Sequence, residues 1–105
     1  IDELETNTLC GTLTGGRSKV YYENGEYQRI TTYKNGKIIN KKAYTEEGQL
    51  EFESNYKNDK QEGVSKTYYE NGEYKYIDTY KNGKKINRKA YTEGGQLRFD
   101  TDYPQ

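Results

Sequence analysis

The chain contains the same block twice. Tyr21-Tyr22-Glu23-Asn24-Gly25-Glu26-Tyr27 returns as Tyr68-Tyr69-Glu70-Asn71-Gly72-Glu73-Tyr74, and Thr32-Tyr33-Lys34-Asn35-Gly36-Lys37 as Thr79-Tyr80-Lys81-Asn82-Gly83-Lys84. Lys42-Ala43-Tyr44-Thr45-Glu46 matches Lys89-Ala90-Tyr91-Thr92-Glu93, and Gly48-Gln49-Leu50 matches Gly95-Gln96-Leu97. Self-similarity of this kind marks a repeat architecture, in which each unit buries its apolar surface only against its neighbours. The two copies run over 16–58 and 63–105. Residues 1–15 precede them as an N-terminal cap, edge strand or lead-in, for Asp2-Glu3-Leu4-Glu5-Thr6-Asn7 has no counterpart in either copy.

A shorter rhythm runs inside the block. Tyr22, Tyr33, Tyr44, Tyr56, Tyr69, Tyr80, Tyr91 and Tyr103 fall about every dozen residues. Nearly every one is followed by a turn signal: Asn24-Gly25, Asn35-Gly36, Glu47-Gly48, Asn71-Gly72, Asn82-Gly83 and Gly94-Gly95. Asn-Gly is the strongest short hairpin signal, because both central residues of a type I′ turn need positive φ. The rhythm therefore predicts type I′ hairpins in series. The fold class is all-β: an elongated single-sheet antiparallel β-meander of about eight strands, built from tandem hairpin repeats. The junction Lys57-Asn58-Asp59-Lys60-Gln61-Glu62-Gly63 lacks Asn-Gly and reads as a longer hairpin loop.

Alternation supports strands. Leu50, Phe52, Ser54 and Tyr56 alternate with Glu51, Glu53 and Asn55, which predicts one buried and one wet face. Leu97, Phe99, Thr101 and Tyr103 against Arg98, Asp100 and Asp102 repeat the pattern. The middle strands are less regular. Ile30 and Ile77 oppose Tyr33 and Tyr80, and Ile39 and Ala43 oppose Tyr44, so either bulges switch the faces or both faces are partly covered. Gln96–Tyr103 closes the meander as an open edge able to accept one partner strand. Pro104, lacking an N–H, stops its ladder.

Several functions are disfavoured by what the chain lacks. Hydrophobic residues are only 30%, yet 13 Tyr and regular turns argue for a thin folded sheet rather than disorder. Seventeen basic residues balance 17 acidic ones, a net charge of +0 that gives no pull toward nucleic acid. There is no His and one Cys, so neither a His-based catalyst nor a zinc cluster is expected. The glycines are isolated turn residues, not a phosphate cradle. The pair Glu46-Glu47 becomes Glu93-Gly94 in the second copy and is read as solvated. No catalytic residue, metal or cofactor is predicted. Cys10 reads as a strand cysteine in preference to a lipid-attachment site. Because the chain opens at Ile1, a segment upstream is expected to have been removed, leaving a cytoplasmic or exported protein.

Tyr-Tyr-Glu-Asn-Gly-x-Tyr followed by Tyr-Lys-Asn-Gly-Lys resembles the bacterial variant of the MORN repeat, with units from Tyr22 to Tyr44 and Tyr69 to Tyr91 and a longer one between. The resemblance covers about Gly16 to Tyr103. It implies one elongated, twisted antiparallel sheet, and members similar to antitoxins of toxin–antitoxin pairs.

Tyr27, Tyr74 and Tyr76, interleaved with Lys75 and Arg29, are the candidate binding surface, a stacking platform beside cations. Packing is the competing role for such tyrosines. The reading is a non-catalytic protein-interaction or scaffolding module, a monomer or weak dimer with another protein as partner. Neutralisation of a cognate toxin is one alternative. Membrane-lipid or glycan binding at a bacterial surface is the other.

Overall fold

The computed structural model describes residues 2–9 and 12–104, with side chains from residue 16 onward; Cys10 lies outside them. The strands are β1 (Asp2–Leu9), β2 (Thr12–Tyr21), β3 (Tyr27–Lys34), β4 (Lys37–Tyr44), β5 (Leu50–Lys57), β6 (Lys60–Gln61), β7 (Gly63–Tyr68), β8 (Tyr74–Lys81), β9 (Lys84–Tyr91) and β10 (Leu97–Asp102). Neighbours in sequence are neighbours in space, all antiparallel, from β1 at one edge to β10 at the other, with the two-residue β6 paired to β5 off the main path. There is no helix among the described residues. The meander read from the tyrosine rhythm is the observed fold. It is a slab of 49 × 38 × 15 Å.

Two kinds of turn alternate between the two rims. On one rim β3 and β4 join through Asn35-Gly36, β5 and β6 through Asn58-Asp59, and β8 and β9 through Asn82-Gly83. Both central residues of each turn have positive φ, 52° at each asparagine, the signature of type I′. On the other rim the expectation of type I′ is corrected. At Asn24-Gly25 and Asn71-Gly72 only the glycine is left-handed. Gly25 N donates to Tyr22 O (3.0 Å) and Tyr22 N to Glu26 O (2.8 Å). The loop closed by Tyr22 and Glu26 has three residues, and that length takes a type I turn followed by a left-handed glycine. Thr45–Gln49, Tyr69–Glu73 and Thr92–Gln96 close in the same way. The junction is also corrected: it is a tight turn at Asn58-Asp59, followed by the left-handed Gly63, not a long loop.

The irregular middle strands are explained by bulges. Register shifts fall between Val20 and Tyr21, Thr32 and Tyr33, Ala43 and Tyr44, Thr67 and Tyr68, and Thr79 and Tyr80. Each bulge inserts one residue in the facing strand, Gln28, Ile39, Glu51, Lys75 and Ile86 in turn, and shifts which residues share a face beyond it. Both faces are consequently half-covered. Ala90 is the one buried hydrophobic among the described side chains, alongside Lys19, Ser54, Ser65 and Asp78. With so little core, stability rests on the ladder and on cross-strand pairs contributing roughly 0.2–1 kcal/mol each.

Candidate interaction surface

The register sorts side chains onto two faces. One carries two tyrosine triads. Tyr21 and Tyr27 lie 5.0 Å apart and Tyr27 and Tyr44 6.2 Å apart. Their twins, Tyr68–Tyr74 and Tyr74–Tyr91, lie at 5.3 and 6.4 Å. The rings are tilted, and tilted pairs of this kind contribute roughly 0.5–1.5 kcal/mol beyond area burial. Lys19 sits over Tyr27 and Lys66 over Tyr74. Burial raises the pKa of the Tyr68 hydroxyl, with nearby Tyr74 and Glu53 adding to the effect.

The opposite face carries a charged centre in the second copy. Arg88 donates through Nε and Nη2 to the two carboxylate oxygens of buried Asp78, at 2.7 and 3.0 Å, with Lys85 Nζ 3.8 Å away. That fork raises the Arg88 pKa, and the guanidinium stacks 4.1 Å from the Tyr76 ring centre. The first copy has Thr31 and Lys41 at these places.

The five residues proposed from sequence are therefore divided. Tyr27 and Tyr74 occupy the tyrosine face, one in each triad. Arg29 and Tyr76 occupy the other face by register. Lys75 is the inserted residue of a bulge and approaches the Tyr69 and Tyr76 rings on that second face. Tyr27 and Tyr74 are partly exposed.

The strand β10 differs most from its twin β5. In β5, Leu50, Phe52 and Tyr56 are half-buried and Ser54 is fully buried, because β6 and β7 lie alongside. In β10 every residue is exposed, Leu97 at 56% and Phe99 at 41%. This corrects the expectation of a buried face there: no further described strand lies alongside to cover it. Its bulge also breaks the alternation. Leu97 pairs with Tyr91 and Phe99 with Ala90, with Arg98 as the inserted residue, so Leu97 joins the tyrosine face and Phe99 the other. The sequence signal for Leu97 and Phe99 is Pro104, which lacks an N–H and comes soon after β10, where the Asn58-Asp59 hairpin comes soon after β5.

On the tyrosine face beside β10 lies an open groove of about 750 Å³ lined by Val64, Ile77, Thr79, Asn87, Lys89, Asp100 and Asp102. Asn87 Nδ2 donates to Asp100 Oδ1 (2.7 Å) and Asp102 Oδ1 (2.8 Å) and holds both carboxylates in place. Among the described residues no group of His, Cys, Asp and Glu is arranged to hold a metal ion, and no helix is long and apolar enough to cross a membrane.

An open antiparallel sheet of duplicated hairpins, latched turn to turn, defines a repeat protein of the interaction-module class. The family model for the MORN repeat variant matches residues 14–35, 36–58 and 61–82, well over half of the chain, and the chain belongs to that family. No curated protein matches the chain. MORN repeats are non-catalytic modules for protein or membrane interaction.

Proposed function

We propose that this protein is a non-catalytic protein-interaction module that engages its partner at its C-terminal end. The observation carrying this reading is the contrast between the twin strands: Phe52 is flanked on both sides by strands, whereas Phe99 is flanked on one side and lies 41% exposed. Apolar side chains left open at a sheet edge mark a contact surface. The balanced net charge of +0 supports a protein partner over an anionic membrane. Lys34, Lys37, Lys81 and Lys84 lie on one rim, and Glu23, Glu26, Glu70 and Glu73 on the other. A toxin-like protein is one such partner, consistent with the family resemblance.

Photo-crosslinking tests this. A benzophenone side chain at position 99 is expected to capture a discrete protein in cells that make the chain, while one at position 23, in the β2–β3 loop toward the opposite end of the strand order, captures nothing. Capture at position 23 alone would refute the placement.

A further inference from the structure

We infer that the open edge of β10 is a docking edge for an extended basic segment of a partner protein, with lysine or arginine at alternate positions. The inference rests on the reading of the C-terminal end as the partner surface.

The backbone defines which groups are on offer. Tyr103 N donates inward to Ile86 O at 3.0 Å. In an antiparallel ladder the inward and outward groups alternate. The N–H and C=O groups of Asp100 and Asp102 therefore face away from β9, toward the open edge, whereas Arg98 is the inserted residue of the bulge, where the alternation stops.

The side chains define what those groups want. Inside the chain, Glu53 stands in register between Lys42 of β4 and Lys66 of β7. Its twin, Asp100, has Lys89 of β9 on one side and the open edge on the other. The lysine that β7 supplies to Glu53 has no counterpart at Asp100. The neighbouring position sharpens this. Asn55 uses its amide to donate to Val64 O of β7 at 3.0 Å. Its twin, Asp102, is an acceptor and cannot make that bond to a carbonyl. An incoming strand must therefore bring donors opposite both Asp100 and Asp102. The groove beneath holds these two carboxylates, the single ammonium of Lys89, and the apolar Val64 and Ile77, which can cover lysine stems.

The chain also contains a strand of the required type. In β1–β2 the register sets Glu3 opposite Lys19 and Glu5 opposite Arg17. An acidic strand with carboxylates two apart thus already pairs with a basic strand reading Gly16-Arg17-Ser18-Lys19-Val20-Tyr21. Asp100 and Asp102 present the same spacing.

The test uses the whole chain, labelled with nitrogen-15, and a synthetic peptide Gly-Arg-Ser-Lys-Val-Tyr. Saturable shifts are expected at the amides of Asp100 and Asp102. A peptide with glutamate in place of both basic residues is expected to bind about tenfold more weakly or not at all, and Asp100→Lys in the chain to do the same. The milder Asp100→Asn, which keeps the neutral shape, is expected to show an intermediate loss. The amide spectrum of each variant reports whether the sheet is intact. Equal binding of the acidic peptide, or shifts that bypass β10, would overturn the proposal. So would a concentration-dependent dimer abolished by Asp100→Lys, which would make a second copy the occupant. Phe99→Asp separates the partner surface from the basic strand. If, in a pull-down without crosslinking, it releases the native partner identified through position 99 while the basic peptide fails to bind the unaltered chain, the C-terminal surface stands and the basic strand falls. If it releases nothing, both fall.

Discussion

The hydroxyl of Tyr22 donates to the main-chain carbonyl of Tyr44 at 2.8 Å, one hairpin further along the same rim. Tyr69 does the same to Tyr91, also at 2.8 Å. Beside each, an asparagine repeats the gesture: Asn24 to Glu46 O at 2.8 Å and Asn71 to Glu93 O at 2.7 Å. Each Tyr-Glu-Asn-Gly turn is thus a donor and the following Thr-Glu turn an acceptor, which explains why the unit of duplication is two hairpins. Tyr69→Phe is expected to lower stability by about 1 kcal/mol in urea unfolding, the usual worth of one hydrogen bond. Tyr22→Phe should match it, and the two losses should add, since the latches share no partner. An unchanged midpoint for both would show that the latches contribute nothing.

The two asparagines of one copy have different tasks, and glycine substitution separates them. Asn24 caps its own loop by accepting from Glu26 N at 2.9 Å while bridging to Glu46. Asn24→Gly should cost about 1–2 kcal/mol, for two side-chain bonds go. Asn35 is held at φ 52°, which glycine adopts freely, so Asn35→Gly should change stability by only a few tenths of a kcal/mol. Equal costs at the two sites would contradict the assignment of different turn types to the two rims.

Gly25 at φ +90° has nothing within 4 Å of where a Cβ would sit, so the strain of a substitution there is purely conformational. Gly25→Val is expected to cost about 1–2 kcal/mol, because a β-branched residue resists positive φ. At Gly48 a Cβ would also meet Glu26 Oε2 at 2.7 Å. Gly48→Val should therefore cost at least as much as Gly25→Val in the same unfolding assay.

Arg88→Leu should destabilise by about 2–3 kcal/mol, because it leaves the buried Asp78 carboxylate with only the distant Lys85. The double change Asp78→Thr with Arg88→Lys should cost less than the single one, since the first copy already uses Thr31 and Lys41 there. The fork raises the Arg88 pKa above its ordinary value, so its contribution is complete below that value and is lost only at higher pH. Across neutral pH the Arg88→Leu loss should be constant, and a loss appearing only in alkaline solution would contradict the sign.

Much of the fold is legible in the sequence because turn chemistry and tyrosine spacing repeat without interference from a large core. The rest comes from effects that a residue pattern cannot encode. Asn24-Gly25 and Asn35-Gly36 are the same dipeptide, and only loop closure at Tyr22–Glu26 distinguishes a three-residue loop from a two-residue one. The bulges that turn Leu97 and Phe99 to opposite faces insert a residue without changing the sequence alternation. The exposure of β10 depends on its neighbours in space, so β5 and β10 read alike in sequence and differ in the fold. The platform residues Tyr27, Arg29, Tyr74, Lys75 and Tyr76 share a composition rather than a face, because bulges at Gln28 and Lys75 divide them.

The most direct test of the interaction surface is amide hydrogen exchange on the chain with and without the partner captured at position 99. Slowed exchange is predicted at Asp100 and Asp102, the β10 amides that face the open edge, with the β3 and β8 strands carrying Tyr27 and Tyr74 unchanged. Protection confined to β3 and β8, with β10 exchanging as freely as in the isolated chain, would contradict it.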